Sequence, residues 1–243
     1  MNAIEIKALS KSFKTRKAVD SLTLSVEEGR VFGLLGQNGA GKTTTIKMLC
    51  GLLTPTDGDA LINGISVVSN PHEVKKNIGI SPQETAVAKN LTVIENLEFI
   101  AEVYGAKKGE AKEKAEKMLE RFSLSERAKD KAKSLSGGME RRLSIAMALQ
   151  SEPKVLFLDE PTLGLDVRSR RELWHLIESL KGKMTVVLTT HYLEEAEALC
   201  DKIAIMNTGR LRAIGTSEEI IAQSGAENFE DAFLRLTETE EER

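Results

Sequence analysis

The chain has 243 residues, 41% of them apolar and 29% charged, and 34 Lys and Arg against 37 Asp and Glu leave a formal net charge of −3. That length allows one or two domains and burial of roughly 70–75% of the unfolded surface, which excludes disorder and fibrous repeats as the main state. The near balance of charge argues against wholesale binding to nucleic acid or acidic lipid.

The two cysteines, Cys50 and Cys200, form no zinc pattern and suit a reducing compartment. The start lacks the apolar stretch and cleavage site of a signal peptide. No run reaches the ~18–20 apolar residues that span a bilayer, so a membrane role would need a membrane-embedded partner.

Residues 1–35 read as strands. AIEIKAL and SLTLSVEEG alternate apolar and polar side chains, as half-buried strands do. VFGLLG is a continuous apolar run, the pattern of a strand buried on both faces. It leads through a glycine-rich turn into a helical stretch, KTTTIKMLCGL, and TPTDGDALING predicts a hairpin. From 84 to 152 the texture becomes helical. Thr92 and Glu95 form a capping box, and Val93, Leu97, Ile100, Ala101 and Tyr104 share one helical face behind it. Ala111, Ala115, Met118, Leu119 and Phe122 mark a second amphipathic helix, whose lysines read as a solvated face.

Strand and helix then alternate again. KVLFLDE, MTVVLTT and KIAIMN read as buried strands, with GRLRAIG as a hairpin partner of the last. Leu173, Leu176, Ile177 and Leu180 mark one helix, LEEAEALC another, and TSEEIIAQ and ENFEDAFLRL two short terminal ones. The expected organisation is a single domain. Its core spans 1–83 and 153–225, with a helical subdomain at 84–152 and a C-terminal helix with an acidic, frayed tail at 226–243.

The strongest local pattern runs from Gly36 to Thr43, G-x-x-x-x-G-K-T, between a buried strand and a helix. Glycines let successive N–H groups turn inward, and together with the helix N-terminus these face a triphosphate. Asn38, Gly39, Ala40 and Gly41 form that cradle, Lys42 supplies a point charge to the β- and γ-phosphates, and Thr43 offers a hydroxyl to Mg²⁺ with Thr44 beside it. A phosphate cradle needs a carboxylate near its metal, and Asp159 ends a strand where it can orient Mg²⁺. Glu160 follows on the opposite side of that strand and can polarise an attacking water. The expected fold class is therefore α/β: a P-loop NTPase core sheet flanked by helices, with an N-terminal antiparallel β layer and an inserted helical subdomain.

Leu135-Ser136-Gly137-Gly138-Met139 resembles the signature, usually LSGGQ, of ATP-binding cassette (ABC) proteins. Gln83 in SPQE resembles the Q-loop glutamine, PTLGLD ending at Asp166 resembles the D-loop, and His191 after MTVVLTT resembles the switch histidine. Phe13 stands where the family places an aromatic that stacks on adenine; a core position at a strand end is its alternative. The resemblance covers essentially the whole chain.

It implies an ATPase with ATP and Mg²⁺ as cofactors, Gln83 contacting the metal or the water, and His191 the γ-phosphate. It also implies a head-to-tail dimer with a second copy or a homologous subunit. In that dimer Ser136, Gly137 and Gly138 of one chain contact the γ-phosphate held by the other, and the D-loop resemblance places Asp166 among the nucleotide-binding residues. Met139 departs from the usual Gln and removes one polar contact from that surface.

The transporter branch implies a separate integral membrane permease and a place on the cytoplasmic face of the membrane, with no nucleic acid partner. TTHYLEEAEALCDKIAIMNTGR and the terminal helix resemble the bacterial drug-, ion- and polysaccharide-export branch, and the chain leaves no room for the extra C-terminal domain of many sugar importers. Export through the permease is thus the expected function. An importer ATPase, or a soluble cassette ATPase of translation or DNA maintenance, is the alternative.

Overall fold

A computed structural model describes residues 1–238. β1 (Asn2–Phe13) and β2 (Arg16–Glu27) form an antiparallel pair, and β3 (Val31–Leu35) follows with every residue buried. α1 (Lys42–Leu49) leads to β4 (Asp57–Ile62) and β5 (Ile65–Ser66), which turn back on each other through Asn63 and Gly64. The hairpin therefore lies slightly later than the turn-rich segment alone suggests. α2 (Pro71–Asn77) and β6 (Ile78–Ser81) come next and have no counterpart in the sequence reading. Four residues are too few for a period to emerge, and β6 is recognisable only by its parallel partner.

α3 (Val93–Val103), α4 (Lys108–Arg121) and α5 (Gly137–Leu149) fill the interval before β7 (Val155–Asp159). α6 (Val167–Glu178), β8 (Thr185–Thr190), α7 (Leu193–Leu199), β9 (Lys202–Asn207) and β10 (Arg210–Gly215) restore the alternation. α8 (Ser217–Ser224) and α9 (Phe229–Thr237) complete the described chain, and most of the acidic tail lies outside it.

The strands make two sheets. One is antiparallel, in the order β2-β1-β4-β5; the other runs β10-β9-β3-β8-β7-β6, parallel except for β10. Side-chain alternation explains why the parallel strands are apolar throughout. Val155 and Phe157 of β7 point into a core shared with α1 and the antiparallel layer. Leu156 and Leu158 point the other way, into a core made with α3 to α6.

Thr92 caps α3 through the reciprocal hydrogen bonds of a capping box. Val93, Leu97 and Ala101 are buried as the pattern requires, but Tyr104 is 53% exposed. It caps the helix at its C-terminal end, past the last point where the core can cover that stripe.

Candidate functional site

The carboxyl ends of adjacent parallel strands lie side by side, where ligands of open α/β sheets bind. Residues 36–41 follow β3, the Gln83 segment follows β6, Asp159 and Glu160 sit at the end of β7, and His191 follows β8. Together they surround a cavity of about 520 Å³ lined by Phe13, Gln83, Glu160 and His191 and by the loop from Gln37 to Thr44. Tertiary structure thus collects residues that are more than 100 positions apart in sequence.

Local backbone geometry shapes the cradle. Gly41 caps α1 at φ +104, and a Cβ there would stand 2.5 Å from the Ala18 carbonyl oxygen. Only glycine fits that combination of conformation and contact. Lys42 is 5% exposed, and its Nζ donates to the Gly36 carbonyl at 2.7 Å and lies 3.2 Å from Glu160 Oε1. The other carboxylate oxygen, Glu160 Oε2, is 2.7 Å from His191 Nδ1. One buried carboxylate therefore joins the lysine to the histidine.

Asp159 lies beneath the cavity, 4% exposed. Its Oδ1 accepts from Thr43 Oγ1 at 3.1 Å and from Thr189 Oγ1 at 2.6 Å. A hydroxyl and a carboxylate at the edge of a phosphate cradle are hard oxygen donors, the set that suits Mg²⁺. Thr189 Oγ1 also accepts from the Glu160 backbone N–H at 2.9 Å, so one threonine positions both acidic residues.

The orientation of Glu160 corrects the sequence expectation. It does not face away from Asp159 by strand alternation, because β7 ends at Asp159. Glu160 instead adopts φ +49, a left-handed conformation uncommon in a non-glycine residue, which swings its carboxylate over Lys42. Phe13 is 47% exposed at the cavity edge, with Lys11 Nζ 5.4 Å from its ring centroid, so the core alternative does not apply.

Ser136, Gly137, Gly138 and Asp166 lie outside this cavity. Ser136 caps α5 by accepting from the Met139 N–H at 3.3 Å. Asp166 caps α6, accepting from the Arg168 and Ser169 N–H groups and from Ser169 Oγ at 2.7 Å. The Ser169 bonds hold its carboxyl below the usual carboxylate range. Ser169 Oγ stands 2.7 Å from where a Gly138 Cβ would be, so the two cap regions touch. Met139 is half-buried and packs on the helical core, a place an amide would leave poorly solvated.

Arg141 escaped the sequence reading. It is 6% exposed, and its guanidinium donates to the carbonyls of Pro82 and Gln83, each at 2.6 Å. Its position three residues after Gly138 and four before Ile145, on the buried face of α5, is the available sequence signal. Burial pushes its pKa down, opposed by the charges of Glu140 and Asp159. Arg16 also lines the cavity and reaches the Gly39 carbonyl at 3.3 Å.

The chain matches the family described as ABC transporter over residues 19–163. It is 40% identical to the linearmycin resistance ATP-binding protein LnrL of Bacillus subtilis over 96% of this chain and 74% of that protein. It is 42% identical to the probable multidrug ABC transporter ATP-binding protein YbhF of Escherichia coli, covering 96% of this chain but 41% of that longer protein. A solved structure described as the ATP-binding subunit of an ABC transporter superposes with a TM-score of 0.86 at 31% identity, over 97% of this chain and all of that one. The α/β architecture, the cavity at the strand ends and these likenesses agree: the chain belongs to the ABC transporter family, as an ATP-binding and ATP-hydrolysing subunit.

Proposed function

We propose that this subunit energises export of a small molecule through a separate membrane permease, by closing on ATP as one half of a head-to-tail dimer. The observation that carries the reading is the Lys42–Glu160–His191 cluster at the mouth of the phosphate loop. The N–H groups of residues 37–44 and Lys42 bind the phosphates, and Phe13 stacks on the base. Thr43, Asp159 and Gln83 would hold Mg²⁺, which would neutralise phosphate charge. Arriving phosphates take over Lys42 as a partner, and this frees Glu160 to orient and polarise water while His191 contacts the γ-phosphate.

Ser136 and the N–H groups that open α5 suit an anion as well, yet they lie away from the chain's own cavity. A second chain, a copy or a homologue, brings its nucleotide to them. No helix among the described residues is long and apolar enough to cross a membrane. A groove of about 290 Å³ between α3 and the core, lined by Leu52, Ile80, Ile100 and Tyr104, offers the permease a place to dock. The names of the relatives, linearmycin resistance and multidrug transport, support export as the direction.

The test is to hold the tagged Glu160→Gln variant with Mg-ATP and identify what co-purifies from solubilised membranes of its host. A polytopic membrane protein is the expected result. Uptake of a candidate drug into inverted vesicles containing both subunits then reports direction. Recovery of soluble machinery alone, or flow only toward the cytoplasm, would overturn the reading.

A further inference from the structure

Arg141 is a buried cation whose direct partners are two peptide carbonyls and not a carboxylate. A fork of guanidinium N–H groups holds two acceptors in one fixed geometry. Here the acceptors belong to Pro82 and Gln83, the segment that brings Gln83 to the nucleotide cavity. The preceding residue of α5 grips the same segment: Glu140 accepts from Thr85 Oγ1 and pairs with Lys89 Nζ at 3.7 Å. Asn96 of α3 then closes the segment by bonding both backbone groups of Ala88 at 2.8 and 3.1 Å. The Gln83 segment is thus fastened to the helices along its length, and most tightly at the first turn of α5. That turn begins at Ser136 and Gly137.

We infer that Arg141 is a positioning residue that makes the Gln83 segment and the first turn of α5 move as one body. Nucleotide bound in this chain's own cavity thereby sets the attitude of the surface carrying Ser136, Gly137 and Gly138. The inference rests on the proposed use of that surface against a second chain's nucleotide. A rigid element shared by two sites couples them without contact between the ligands.

Hydrogen exchange of the Glu160→Gln protein with and without Mg-ATP tests this, read at residues 37–44, 83–89 and 135–142. The expected parent response is slowing at all three. In Arg141→Met the slowing at 37–44 persists, while at 135–142 it drops from roughly fivefold or more to almost none, the low end of typical coupling between sites. Arg141→Lys keeps the charge but loses the fork, and gives an intermediate response. It also guards against a variant that folds poorly. A merely structural Arg141 would raise exchange with and without Mg-ATP alike and leave the ratio unchanged, which would overturn the inference. Unaltered transmission in Arg141→Met would do the same. Absence of slowing at 37–44 in the parent would instead remove nucleotide binding itself, and this inference with it.

Discussion

Replacing Glu160 by Gln separates two tasks that the structure gives to one carboxylate. Without nucleotide it neutralises Lys42 at 3.2 Å, with both side chains buried. At an effective dielectric of about 20 that attraction is roughly 5 kcal/mol, and desolvation of the two charges cancels most of it. Gln keeps the shape and a carbonyl that can accept from Lys42, so the net loss is about 1–2 kcal/mol. For a chain of this size the nucleotide-free Tm then falls by roughly 2–8 °C.

Phosphates no longer compete with Glu160 for Lys42, so the same 1–2 kcal/mol appears as roughly 5–30-fold tighter ATP binding. Turnover falls by about 10²–10⁴, the range for loss of a positioned general base. Thermal unfolding with and without Mg-ATP, equilibrium binding of a fluorescent ATP analogue and phosphate release measure the three quantities. Equal Tm and equal ATP affinity in parent and variant would show that Glu160 does not hold Lys42, and the reasoning would fail.

Phe13→Ala should leave stability within about 0.5 kcal/mol, because the ring is 47% exposed. The ATP KM should rise roughly 5–100-fold with kcat nearly unchanged, and Phe13→Trp should restore it. Steady-state kinetics of both variants decide this, and a normal KM in the alanine variant would refute base stacking. Leu52→Arg, at a position 59% exposed, should preserve folding and the ATPase of the isolated subunit but abolish co-purification of the permease. Retained co-purification would move the docking site elsewhere.

Burial pushes the Glu195 carboxyl above its unfolded value of 4.5, against the hydrogen bond that Trp174 Nε1 donates to its Oε1 at 3.3 Å. The native state therefore holds more protons than the unfolded chain between 4.5 and the raised value, so stability falls as pH rises through that window. Glu195→Gln should flatten the decline and raise Tm at pH 8; an unchanged profile of Tm against pH would count against it.

Much of the cradle could be read before folding because each part answers to a local requirement. The glycines answer to backbone conformation, Lys42 and Thr43 to the helix that begins with them, and Asp159 to the end of an apolar run long enough to be a buried strand. The capping box at Thr92 is equally local. The short strand β6 was not legible, since its identity depends on β7 beside it. Nor was the left-handed turn at Glu160, because no rule of alternation predicts φ +49 in a glutamate.

By itself the sequence determined the order of the elements other than α2 and β6, and the glycine-lysine-threonine pattern of the phosphate loop, since both depend on neighbours within a few positions. Only the tertiary structure decided that Glu160 joins Lys42 to His191, that Arg141 holds the Gln83 segment by its backbone, and that the Ser136 turn lies outside the lining of the chain's own cavity. Those relations span roughly 30 to 120 positions, and distances of that kind are set by how strands order themselves in a sheet.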